Sequence, residues 1–180
     1  MNSRRLHTTA LAAVFGGAVY VFTGAIQATH DFEGTHNTID TTAEYLVTGA
    51  LPVALFATLL GYRAFGALAR RPRAAGAAIA AQAVLAVMCV ISVINGEDAS
   101  FFNAVAPICL LTWLVSSIVI AVGVRRHDAV PRPVAIALPI LVPVTFILSP
   151  IGGPMITGAF WLTLATHVLR DGSRAVPAAA

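Results

Sequence analysis

Residues 132–170 read RPVAIALPILVPVTFILSPIGGPMITGAFWLTLATHVLR. A bilayer crossing takes about 20 apolar residues, and this stretch is about twice that length. Arginine at both ends decides what the extra length does, because positive charge resists translocation and keeps Arg132 and Arg170 on one side of a membrane. The stretch therefore crosses twice. Ser149-Pro150-Ile151-Gly152-Gly153-Pro154 is the place to turn, since prolines and glycines end helices and accept tight turn geometry. The fifth span is expected over 133–148 and the sixth over 155–167, both short for a bilayer.

Outward from this stretch the same rule applies to the whole chain. All eleven basic residues are arginines, clustered at Arg4 and Arg5, at Arg63, Arg70, Arg71 and Arg73, at Arg125, Arg126 and Arg132, and at Arg170 and Arg174. Long apolar runs separate the clusters and predict four further spans over 8–28, 45–65, 75–94 and 104–124. The alternate connections hold acids and no arginine: Asp31, Glu33, Asp40 and Glu44 in the first, Glu97 and Asp98 in the second. The expected fold is an all-α polytopic membrane bundle, a single domain over 1–180, with six transmembrane helices and both termini cytoplasmic. Its expected location is the cell's inner membrane.

Composition supports that class. Hydrophobic residues make up 58% of the chain and charged residues 11%, far from the balance of a soluble domain. The net charge of +3 would suit nucleic acid in a soluble protein. Here the arginines flank apolar spans, so anionic lipid headgroups are the expected partner and nucleic acid is not. Arg4-Arg5 followed by Ile26-Gln27-Ala28 has the order of a signal peptide, but the apolar run exceeds an ordinary h-region and the span is read as retained. Ala12/Gly16, Ala13/Gly17 and Gly24 place low ridges on the first helix for close helix contact. Kinks are expected at Pro52, Pro107, Pro139 and Pro143.

The spans carry almost no ionisable group, which disfavours a charge-driven pump. Their mild polar residues, among them Gln27, Thr48, Gln82, Ser92, Thr112, Ser116, Ser117, Thr145 and Thr163, are expected to bond neighbouring helices. Phosphate-binding glycine loops, CxxC, HExxH and GxSxG are all missing from the sequence, and no cofactor is expected. Polar chemistry gathers instead in the acid-bearing connections. Thr41-Thr42-Ala43-Glu44 has the form of a capping box, which gives Glu44 a structural role. Read as chemistry, Glu44, Glu97, Asp98 and Asp40 are candidate catalytic acids. Adjacent acids beside apolar surface favour a neutral carboxylic acid that can donate a proton. Gly96 is expected to cap the third helix, and Asp98 or Ser100 the fourth. His30 and His36 are weak candidate metal ligands, at a spacing that matches no dedicated motif. Tyr45, Phe101, Phe102, Asn103, Trp113 and Trp161 are candidate substrate contacts, the two tryptophans lying deeper than an interfacial belt requires.

The histidine- and acid-bearing first connection, Gly96-Glu97-Asp98-Ala99-Ser100-Phe101-Phe102, and the proline-rich fifth span leading into Pro150-Ile151-Gly152-Gly153 resemble small six-helix integral membrane proteins of GC-rich bacteria. In size, helix content and outer-side acids the chain is also similar to membrane-integral terpene cyclases. That second resemblance implies an acid that protonates an olefin or epoxide, with aromatic faces steadying the cation. Three functions are expected from these readings. The first is a membrane enzyme for a lipophilic, polyprenyl-like substrate. The second is a substrate-binding or accessory subunit of a small transporter, with a protein partner at Ala69-Arg70-Arg71-Pro72-Arg73. The third is a pH- or metal-responsive membrane protein.

Overall fold

A computed structural model describes the backbone over residues 3–30, 39–128 and 130–174, and side chains over 7–30, 39–128 and 130–169. Among the described residues the chain is all helical: α1 (Ser3–Thr29), α2 (Thr42–Leu68), α3 (Pro72–Asn95), α4 (Phe102–Arg126), α5 (Arg132–Ile147) and α6 (Gly153–Arg174), with a single 3₁₀ turn over Ser149–Ile151. Segments His7–Thr29, Thr42–Leu68, Pro72–Asn95 and Phe102–Arg126 are each long and apolar enough to cross a membrane. That makes this a membrane protein by length and composition. Helix α5, with 16 residues, reaches about 24 Å, less than the ~30 Å hydrocarbon core. Helix α6 starts two residues before the expected sixth span and continues seven beyond it, into a polar last turn.

Local chemistry explains where the helices stop. Gly96 ends α3 in the left-handed region, at φ 71°, which suits a residue without Cβ. Gly152, at φ 87°, closes the turn between α5 and α6 at the predicted place. Pro52, Pro107, Pro139 and Pro143 all lie inside helices. In α5 the two internal prolines leave the carbonyls of Ala135 and Pro139 without their usual helical donors.

Each helix packs on its chain neighbours, and α6 closes the circle against α1, giving a ring of six helices. Backbones approach closely at the α1–α6 seam. A Cβ on Gly158 would fall onto the Gly17 carbonyl, and a Cβ on Gly17 would stand 2.9 Å from the Gly158 carbonyl. Gly16, one residue along, meets Ala57 of α2 in the same way. Small residues let α1 press on two neighbours at once, which is how helices gain dispersion contact in a solvent as apolar as themselves. The outward surface is correspondingly apolar, with Phe15, Phe22, Phe56, Ile108, Leu111 and Val115 all exposed.

Aromatic rings occupy the middle of the circle. Phe65, Trp161, Tyr62, Trp113 and Phe146 form a continuous chain with centroid separations of 6.2, 5.9, 6.0 and 5.9 Å, most of them edge-to-face. Trp113 and Trp161 are each only 2% exposed. Gly61 makes room for the Trp161 ring, which a Cβ there would meet at 2.5 Å. The ring of helices is thus a packed bundle.

Candidate functional site

The predicted site residues separate onto two levels. At the end of the bundle where α2 and α4 begin, the first acid-bearing connection is tied to the second by one backbone bond, from the Ile39 amide to the Gly96 carbonyl at 2.8 Å. The Tyr45 hydroxyl reaches the same glycine, where an added Cβ would stand 3.1 Å from it. The acids there face different ways. Glu44 Oε2 accepts from the Asp40 and Thr41 amides, both at 2.8 Å, while the Glu44 amide donates to Thr41 Oγ1 at 3.2 Å. The predicted capping box is therefore formed. Two amide donors on one carboxylate oxygen favour its ionised form, and Glu44 completes the capping box from the N3 position.

Asp98 differs from expectation. Helix α4 starts at Phe102 with Phe101 as N-cap and no side-chain cap, so neither Asp98 nor Ser100 caps it. The Asp98 carboxylate instead turns back over the end of α3 and accepts from the buried Ser92 hydroxyl at 2.7 Å. The Met88 carbonyl lies 3.1 Å from the same hydroxyl and is the alternative acceptor for its single proton. A hydroxyl already inside the bundle draws Asp98 inward, and the tight Gly96 turn brings it within reach. Glu97, Asp40 and Asn103 are exposed. Phe101 is 48% exposed and Tyr45 42%, whereas Phe102 packs on the core.

His30 Nδ1 lies 3.1 Å from Thr29 Oγ1 and 3.2 Å from the Ile26 carbonyl, at the end of α1. His36 falls outside the described residues, as do Asp31 and Glu33. Among the described residues no group of three or more potential ligands is positioned to hold a metal ion.

The second level is the bundle centre, which holds Trp113 and Trp161 and also polar groups that sequence reading missed. Thr58 of α2 bonds Gln82 of α3 at 3.2 Å. Ser117 of α4 donates to the Tyr62 hydroxyl of α2 at 3.3 Å. Thr145 of α5 donates to its own helix at Leu141, 2.6 Å away, which leaves Thr157 of α6 to donate across to Thr145 at 2.6 Å. Gln82, Ser117 and Thr145 thus bond neighbouring helices as expected, whereas Thr163 is exposed and turns to its own helix at Ala159. Thr58, Tyr62 and Thr157 complete these pairs without any distinguishing signal, because tyrosine and threonine inside an apolar run read as packing residues. The Tyr20 hydroxyl and Trp113 Nε1 are buried here without a well-formed hydrogen bond, with Thr58 beside the first and Tyr62 beside the second. Such groups cost about 1–3 kcal/mol each when desolvated.

Trp161 also forms one wall of a half-open cleft of about 110 Å³ between α1, α2 and α6, lined by Ala10, Ala13, Gly61, Phe65, Leu164 and Val168 among others. Thr9, Leu68 and Val130 also line it, at the end of the bundle away from Asp98 and Glu44. No carboxylate lines it. A cavity of about 150 Å³ holds a benzene-sized molecule, so this cleft takes the tip of a hydrocarbon chain rather than a whole lipid. No protein-family model, curated protein or solved structure matches the chain.

Proposed function

We propose that the chain is a six-span membrane protein with both ends cytoplasmic, and that it binds a lipophilic molecule by inserting a hydrocarbon end between α1, α2 and α6. The cleft against Trp161 carries this reading: it is apolar and half-open in a bundle whose centre is otherwise filled by side chains. An apolar chain entering from lipid loses little solvation, so affinity must come from shape and dispersion at the cleft walls. A binding role of this kind also suits an accessory subunit. Arg70, Arg71 and Arg73 are exposed on a tight connection in which Arg70 stands at φ 53°, offering a partner three cations at fixed positions.

Binding is tested with geranylgeraniol as the probe and Trp161 as the reporter, in a Trp113→Phe background that removes the other indole. Saturable change in Trp161 emission is expected, and Ala13→Phe, which places a ring in the cleft, should abolish it with helix content unchanged. A native-like response in Ala13→Phe, or no saturable response in the parent chain, would sink the reading.

An enzymatic reading has one observation in its favour. Asp98 is the acid that turns into the bundle, onto Ser92. A polyprenyl-type substrate would have to extend from the Trp161 cleft to Asp98 for that acid to protonate it, with Trp113 and Tyr62 along the way. Lipid extracts from cells making the native chain or Asp98→Asn distinguish the two readings. A hydrophobic product found with the native chain alone supports catalysis, and identical extracts from cells with both chains in the membrane leave binding as the function.

A further inference from the structure

A second groove, of about 520 Å³, runs between α5 and α6 and has a different character. Its floor and walls are Ile136, Ile140 and Val144 of α5 with Ile156 and Phe160 of α6, and the one charged residue lining it is Arg132, at the start of α5. Ile136, Ile140 and Ile156 are each about half exposed, so the groove lies open along the outside of the bundle. From Arg132 to Val144 is twelve residues of helix, about 18 Å. Half of a ~30 Å hydrocarbon core is about 15 Å, so the groove runs the depth of one leaflet. Charge beyond its polar end has one prevailing sign: Arg125 and Arg126 end α4, against Asp128 in the connection.

We infer that this groove seats a phospholipid with an anionic headgroup, its phosphate against Arg132 and one acyl chain along Ile136, Ile140, Val144 and Phe160. A cation at one end and branched aliphatic side chains for the rest match an amphiphile, whose charge and hydrocarbon are divided in the same way. Guanidinium suits phosphate in particular, through paired N–H donors. A helix from a second copy fits less well, since it would cover the aliphatic floor while leaving Arg132 without a counter-charge. The seat is separate from the Trp161 cleft and would exist whether or not that cleft binds a lipophile.

Native mass spectrometry of the full chain in neutral detergent, with added phosphatidylglycerol or phosphatidylcholine of identical acyl chains, tests this. One retained phosphatidylglycerol per chain is expected, with phosphatidylcholine clearly weaker. Arg132→Gln should lower phosphatidylglycerol affinity about fivefold, the effect of one cation near a lipid surface, and bring it to the phosphatidylcholine level. Ala137→Trp, which puts an indole into the groove, should lose both lipids with helix content unchanged. Equal retention of the two lipids by the native chain overturns the inference, as does unchanged retention in Ala137→Trp. So does a lipid-free dimer that Ala137→Trp prevents. Should Arg132→Gln fail to fold, the two-lipid comparison and Ala137→Trp still decide.

Discussion

The acid-bearing end of the bundle and its aromatic centre both hold polar groups but satisfy their side chains differently. At the end, side-chain bonds close within a few residues, Glu44 with Asp40 and Thr41 and Asp98 with Ser92, and the link between the two connections is a backbone bond from Ile39 to Gly96. Water is within reach there, so an unmade bond costs little and short-range partners suffice. At the centre the bonds run between helices, as Thr58 to Gln82, Ser117 to Tyr62 and Thr157 to Thr145. With no water to substitute, each of these polar groups depends on a neighbouring helix standing at the right register. The end of the molecule tolerates change; the centre specifies how the helices meet. That difference sets an order of sensitivity that mutation can break.

The largest effect is expected at Trp161. Its ring touches Tyr62, Phe65 and Phe160 and fills the space opened by Gly61. Trp161→Ala removes these contacts and joins the void to the cleft beside it, so a loss of about 3 kcal/mol in reversible unfolding in detergent is expected. A loss below 1 kcal/mol would mean that the aromatic centre is loosely filled and that the comparison fails.

The next test separates two tyrosines at similar depth. Tyr62→Phe removes the acceptor of the Ser117 hydroxyl and should cost about 1 kcal/mol, within the range of interhelical hydrogen bonds in membranes. Tyr20→Phe removes a buried hydroxyl that makes no well-formed bond, with only the Thr58 hydroxyl beside it, so it should be neutral or stabilise by up to about 1 kcal/mol. The same chemical change is thus expected to have opposite signs at two positions. Equal destabilisation by both would show that the Tyr20 hydroxyl has a partner in the membrane.

How much of this was legible in the sequence follows the same division. The capping box could be read because its two bonds depend on a spacing of three residues, and the left-handed Gly96 and Gly152 because a turn needed them at those places. Helix count could be read from apolar length between arginines. Ring order could not, since nothing in the sequence of α6 says that Gly158 will meet Gly17. Thr58 and Gln82 are 24 residues apart, and their bond exists only because α2 and α3 pack at one register. Asp98 is close enough in sequence to α4 to read as its cap, but its partner Ser92 lies behind it, one turn inside the helix before. Trp113 and Trp161 are both buried in the bundle, but which of them walls the cleft depends on the α1–α2–α6 junction alone.

The smallest effects are expected at Glu44, and they sharpen the comparison most. Glu44→Ala deletes one half of the capping box and exposes the Asp40 and Thr41 amides, which can turn to water, so about 0.5–1 kcal/mol is expected. Glu44→Gln keeps a side-chain oxygen for those amides and loses only the charge that complements the α2 dipole, a few tenths of a kcal/mol. Thermal unfolding in detergent should therefore place Glu44→Gln beside the native chain and Glu44→Ala slightly below it. Were Glu44→Gln to fall well below Glu44→Ala, the negative charge itself would matter, and Glu44 would have a partner beyond its own helix turn. The side chains of the acid-bearing end would then depend on long-range partners as those of the centre do, and the contrast between the two regions would disappear.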